Sequence, residues 1–182
     1  VRLAMHFPRD ETLPQDATSF AHHSAQFSGI NGGVGVTANG VQFIPESSLE
    51  ISPAPSLGFS AGEGLNIRFW LKLDAETEGS ARIVVYGTET QGIALRISGT
   101  RPVLALTGAS PAEVEARSPI SVGSWHLITL NLAANGVALL VDGLESAEIQ
   151  QPLGDFPAGL GFGLSPDRPG FSGSIDELYV SA

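Results

Sequence analysis

Cleavage of a glycosidic bond would need two carboxylates facing each other about 5–10 Å apart. Close acidic pairs in this chain include Glu76-Thr77-Glu78 and Glu113-Val114-Glu115. The first lies in a polar turn, and the second runs on into Ala116 and Arg117 rather than a third carboxylate. Histidine chemistry is no better served. His22 and His23 are neighbours, and adjacent side chains of an extended strand point to opposite faces. His6 and His126 stand alone, so a zinc site would have to arise by long-range convergence. A Ser-His-Asp triad lacks the G-x-S-x-G elbow that would mark its nucleophile. No catalytic residue is assigned. A binding surface is better supported. Sugar sites combine an aromatic plate with planar hydrogen-bonding side chains, and Trp70 shares one strand face with Asn66, Arg68 and Lys72. These four are the candidate ligand-binding residues.

The strand that carries them is the clearest element in the chain. From Leu65 to Leu73 the odd positions are Leu, Ile, Phe, Leu and Leu, and the even ones Asn, Arg, Trp and Lys. A period of two puts the apolar set on one sheet face; a helix would scatter it. Leu65, Ile67, Phe69 and Leu71 are therefore expected in the core, with Ile128, Leu130 and Leu132 on a facing or adjacent strand. A hairpin follows, with Trp125–Leu132 and Val137–Asp142 joined by Ala133-Ala134-Asn135-Gly136. Asn-Gly predicts a type I′ turn there, and Asp142-Gly143 a further turn. Trp125 is expected to pack in the core or at the sheet edge.

Further strands are expected over 2–7, 24–27, 41–44, 49–51, 83–86, 92–97, 103–106, 114–117, 159–164 and 173–180. Proline-rich connections such as Ser52-Pro53-Ala54-Pro55 suit loops, because proline cannot donate to a ladder. About a dozen short strands without helices predict an all-β, antiparallel two-sheet sandwich. Its first and last strands should pair or lie close.

Composition bounds the partners. Of 182 residues, 42% are hydrophobic and 15% charged, which excludes both a disordered chain and a coiled coil. No linker or repeat interrupts residues 1–182, so one domain is expected. The net charge of −10 is unsuited to nucleic acid. There is no cysteine, hence no disulfide or thiolate chemistry, and the compartment stays open. No apolar run reaches the ~18 residues of a membrane span, so no membrane contact is expected of this segment. The chain opens on Val1, which reads as a processed chain or an excised domain with any signal peptide outside it.

Three stretches, in order, resemble the laminin-G-like group of the concanavalin A-like lectin/glucanase jelly rolls. They are Leu49-Glu50-Ile51-Ser52-Pro53-Ala54-Pro55-Ser56-Leu57 with the strand after it, Gly123-Ser124-Trp125-His126-Leu127-Ile128 with Leu140-Val141-Asp142-Gly143, and Gly173-Ser174-Ile175-Asp176-Glu177-Leu178-Tyr179-Val180. The resemblance implies a concanavalin A-like jelly roll. Its glucanase members carry an E-x-D-x-E triplet, which is absent here. A Trp stands at the place of Trp70 in members of different function, which favours a plainer role for it, covering the sheet beneath a loop.

Many relatives also bind calcium. A hard cation takes six to eight oxygens, and Asp16 with Asp176 would be the pair to supply them, helped by Asp10 and Glu11. The family's loop reads D-x-S-G-N, whereas Ser19 and Phe20 stand where Gly and Asn belong. The altered loop points to a domain without cofactor. The opening from Phe7 to Phe27 looks closest to domains joined to MotA/TolQ/ExbB-type proton channels of the bacterial envelope. The expectation is a non-catalytic binding or spacer module of a larger exported, periplasmic or envelope protein. Its rim loops would meet a protein or a glycan, beside other domains of the same polypeptide. The alternative is a carbohydrate-binding accessory of a glycoside hydrolase.

Overall fold

The computed structural model describes residues 1–7, 13–28, 30–36, 39–60, 62–88, 90–155 and 159–182. Through them run the strands β1 (Leu3–His6), β2 (Gln15–Asp16), β3 (Ser24–Phe27), β4 (Ile30–Val34), β5 (Asn39–Phe43), β6 (Ser48–Ile51), β7 (Leu65–Leu73) and β8 (Thr77–Thr88). The second half of the chain adds β9 (Gln91–Gly99), β10 (Arg101–Thr107), β11 (Ala112–Glu115), β12 (Trp125–Ala133), β13 (Gly136–Val141), β14 (Leu144–Ile149), β15 (Gly159–Gly163) and β16 (Gly173–Ser181). One 3-10 turn, Pro55–Leu57, is the helical element among the described residues.

These strands form two antiparallel sheets. A nine-stranded sheet has the order β14-β13-β12-β7-β16-β1-β2, with β5 also on β16 and β4 on β5. A seven-stranded sheet has the order β11-β10-β9-β8-β15-β6-β3. The first and last long strands pair as expected, Leu3 opposite Val180.

The alternation in β7 holds along its whole length. Leu65, Ile67, Phe69, Leu71 and Leu73 are buried, Asn66, Trp70 and Lys72 half-buried and Arg68 exposed. Antiparallel pairing sets Ile128 opposite Phe69, Leu130 opposite Ile67 and Leu132 opposite Leu65, so both strands turn the same apolar face inward. Across the core Phe69 meets Phe162 of β15 edge-on at 5.3 Å.

The hairpin turn differs from the type I′ expectation. Gly136 already belongs to the ladder, opposite Ala133, and the loop is Ala134-Asn135. A Cβ on Gly136 would stand 2.2 Å from the carbonyl oxygen of Ile149, so this glycine serves close approach of β14 rather than the turn. Paired positive φ angles occur at the next turn instead, 53° at Asp142 and 80° at Gly143, joining β13 to β14. Three strands lay outside the expectation: β2 is two residues long, β4 is glycine-rich, and β14 is a polar edge strand. The strand expected at 114–117 ends at Glu115, because the Arg117 amide leaves for the Ser146 carbonyl at 2.8 Å.

Candidate functional site

The outer face of the nine-stranded sheet gathers the expected residues Asn66, Arg68, Trp70 and Lys72, and adds others the sequence did not join to them. Register places Trp125 opposite Lys72, Leu127 opposite Trp70 and Asn131 opposite Asn66. The Lys72 ammonium stands 5.6 Å from the centre of the Trp125 ring and 3.6 Å from Asp74. Asn66 and Asn131 join through their side-chain amides. Trp125 is thus half-buried on the outer face, not in the core.

Tyr179 reaches this face through a bulge. Register in β16 runs Asp176 opposite Trp70 and then Tyr179 opposite Arg68, with one extra residue between. The extra residue centres on Glu177, which has φ of 51° without being glycine. The shift keeps Ile175, Leu178 and Val180 buried and turns Tyr179 outward. There the Arg68 guanidinium lies 5.4 Å from its ring centre. Tyr179 donates its hydroxyl to Glu177 Oε2 at 2.6 Å, and His6 Nδ1 lies 3.1 Å from Oε1 of the same carboxylate. That hydrogen bond, with burial second, raises the Tyr179 hydroxyl above its usual range and keeps it protonated.

Asp16 and Asp176 are each held by their own set of hydrogen bonds. Asp16 Oδ1 accepts the amides of Ala4 (3.1 Å) and Thr18 (2.9 Å), and Oδ2 accepts Thr18 Oγ1 (2.7 Å) and the His22 amide (2.8 Å). Asp176 accepts the Val36 amide at 2.8 Å and the Glu177 amide at 2.9 Å. The two sets share no residue. Carboxylate oxygens engaged by N–H donors do not suit a cation, and no group of three or more His, Asp or Glu among the described residues could hold one. Asp10 and Glu11 lie outside the described residues.

Both aspartates therefore read as loop anchors. Burial pushes the Asp16 carboxyl up, but the bonds from Thr18, Ala4 and His22 outweigh it and hold its pKa below the ordinary value. A folded-state pKa below the unfolded one gives stability that is complete well above ~3.9 and fades as pH falls through the folded value. Asp16→Ala is expected to cost about 1–3 kcal/mol at neutral pH and to flatten the acid limb of a stability-against-pH curve. Melting temperature is expected to be equal in calcium and in chelator. A rise in calcium that Asp176→Asn abolishes would contradict this.

His126 is not isolated. Its Nδ1 lies 2.8 Å from Asp142 Oδ2, and its Nε2 lies 2.8 Å from Ser121 Oγ. The order Ser-His-Asp matches a catalytic relay, but the Ser121 amide also donates to Nε2 at 3.2 Å, so it is not aimed at an oxyanion. Asp142 Oδ1 takes the Leu127 amide at 2.8 Å, which closes the base of the hairpin. The set staples the 117–124 loop to β12 and β13. The signal for it was the pairing of Trp125-His126 with Asp142-Gly143 across one hairpin.

At one rim, Arg2, Phe20, Ser56, Phe59, Glu63 and Asp155 line an open cavity of about 450 Å³. Arg2 is already engaged by the Gly58 carbonyl at 2.7 Å and by Glu63 at 2.5 Å.

A family model described as concanavalin A-like lectin/glucanases superfamily matches residues 46–182. A comparison with curated proteins found no match. Among solved structures, the binding domain of botulinum neurotoxin serotype G superposes with a TM-score of 0.74 at 10% identity, covering 99% of this chain and 47% of that one. The binding domain of botulinum neurotoxin DC in complex with rat synaptotagmin II gives 0.69 at 10%, covering 97% and 47%. This chain thus spans about half the length of those toxin domains. Domain 4 of AbnA, a GH43 extracellular arabinanase from Geobacillus stearothermophilus, in complex with arabinotriose, gives 0.73 at 14%, covering 98% and 90%. At such identities the likeness is one of fold. With the family model matching most of its length and the two-sheet jelly roll in place, the chain belongs to the concanavalin A-like lectin/glucanases superfamily.

Proposed function

We propose that this domain is a non-catalytic recognition module of a larger exported protein, and that it holds carbohydrate on the outer face of the nine-stranded sheet. The observation that carries this is the row of Trp70, Trp125 and Tyr179 with Arg68 and Lys72 beside them and Asn66 at the next outward position of β7, all outward on three adjacent strands. Aromatic rings offer apolar plates for the C–H faces of sugar rings, and the planar polar groups beside them meet hydroxyls. The AbnA domain, bound to arabinotriose and matched over 90% of its length, supports the reading. Against hydrolysis stand the ion pairs of the β11 carboxylates: Glu113 is 2.7 Å from Arg96 and Glu115 is 3.1 Å from Arg101. Neither is left as a free acid/base.

Residues 1–182 act as one domain in this reading, since the main buried core draws its residues from Leu3 through to Val180. The envelope context, beside a proton-channel segment, rests on the opening sequence and is tested by the full-length gene. A second reading, protein recognition by the rim loops, is favoured by the cavity beside Phe20, which is 50% exposed. Affinity electrophoresis through soluble polysaccharides separates the two. The wild-type domain is expected to be retarded in at least one gel without releasing reducing ends, and Trp70→Ala to migrate at least about tenfold less retarded in affinity terms. Retardation unchanged in Trp70→Ala would move the site to the rim.

A further inference from the structure

The three aromatic residues are not merely on one face; they form a line. Trp125 stands opposite Lys72, and Trp70 is two residues from Lys72 on β7, which makes Trp125 and Trp70 diagonal neighbours. Tyr179 stands opposite Arg68, and Trp70 is two residues from Arg68 in the other direction. Each step crosses one strand and advances two residues, roughly 7–8 Å. The line Trp125–Trp70–Tyr179 therefore crosses β12, β7 and β16 on a single diagonal about 15 Å long. Lys72 and Arg68 flank its two steps, each resting on the aromatic residue opposite it.

Two further features bear on the ligand. The Tyr179 end exists because of the Glu177 bulge, where a non-glycine residue holds a left-handed φ of 51°. Without that extra residue, strict alternation from Ile175 would point Tyr179 into the core. Strain of this kind persists where surrounding structure enforces it, and it concentrates at functional positions. Beyond Tyr179 the next strand sets Ala4 directly opposite it and His6 edge-on to its ring at 6.1 Å, and one further diagonal step falls at Arg2. The charges along the line are mixed, with Arg68 and Lys72 against Glu177 and Asp74, which suits a polar, uncharged ligand better than a polyanion.

We propose that this diagonal is the track for a linear, neutral polysaccharide, gripped along at least three consecutive sugar rings. This rests on reading the chain as a carbohydrate-binding module and adds the length, polarity and direction of the ligand. Each ring of the chain would stack on one plate in turn, with Arg68 and Lys72 donating to hydroxyls between plates.

Calorimetric titration tests it, using linear arabinan, xylan, mixed-linkage β-glucan and galactan, together with their oligosaccharides from one to six units. For the polymer that binds, affinity is expected to climb at least about tenfold between one unit and three or four, and then to level off. Trp125→Ala and Tyr179→Ala, at the two ends, should each lose about tenfold on the polymer and much less on the single sugar. Trp125→Phe should recover most of the loss, which a fold defect would not allow, and circular dichroism should be unchanged throughout. Wild-type affinity equal for one unit and six would overturn the track while leaving a sugar-binding module. So would end variants that bind the polymer like wild type while Trp70→Ala alone fails, since that describes a single plate. A wild-type domain that binds no polysaccharide, whether or not it binds a protein, overturns both the track and the carbohydrate reading.

Discussion

Phe69→Ala is expected to destabilise the domain by about 3–5 kcal/mol, a large share of the 5–15 kcal/mol typical of a folded domain. Phe69 has no exposed surface and lies where both sheets meet, with Ile128 beside it on β12 and Phe162 edge-on from the opposite sheet. Its neighbours are held by ladders on either side, so the walls of the resulting cavity have little freedom to collapse. Denaturant unfolding monitored by circular dichroism measures the loss. Phe69→Leu keeps most of the volume and should cost under about 1.5 kcal/mol. A cost below about 1 kcal/mol for the alanine variant would mean that the sheets repack around the site.

Arg82→Met is expected to cost about 3 kcal/mol through a different mechanism, the loss of buried donors. Arg82 is 3% exposed on β8, and its Nε donates to the Gly163 carbonyl at 2.6 Å. The guanidinium also donates to the Leu164 carbonyl at 2.5 Å and to Glu50 Oε1 at 2.9 Å. The Arg82 amide meets the Pro169 carbonyl at 2.9 Å, so one residue ties β6, β15 and the 164–170 loop to β8. Methionine retains the stem but removes the donor that the guanidinium gives to each of two carbonyls. The Glu50 side chain is 38% exposed and regains water, which keeps the cost below that of a fully buried pair. Arg82→Lys keeps the charge but not the fork and should fall between wild type and methionine. Faster proteolysis in the 164–172 loop is the expected local signature. A methionine variant as stable as wild type would show that the apolar stem, not the donor fork, is what matters.

How much of this was legible beforehand differs by residue. The inward and outward faces of β7 follow from period two alone, and the structure repeats them residue for residue. The pairing of β12 with β7 is long-range, and no local pattern encodes that Trp125 falls opposite Lys72. Tyr179 was hidden for a stronger reason. A bulge breaks the period on which the facing of a side chain is read, and nothing about glutamate at position 177 signals a left-handed φ. His126 stands alone in the sequence because its partners Ser121 and Asp142 lie on the loop before it and at the turn between β13 and β14. Asp16 and Asp176 stand out in the sequence as a candidate calcium pair, and only their hydrogen-bond partners show which backbone amides, with the Thr18 hydroxyl on Asp16, bond to them. Arg82, a buried polar hub, carries no mark in the sequence, since an arginine in a strand usually faces water.

The most direct test of the recognition face uses the chain's own reporters. There are two tryptophans, Trp70 and Trp125, and both lie on the outer face of the nine-stranded sheet. Their two indole N–H resonances in a nitrogen–proton correlation spectrum are expected to shift together and to saturate as a bound oligosaccharide is added, at the dissociation constant found by calorimetry. Saturable binding that leaves both indole resonances in place would contradict the claim that this face holds the ligand.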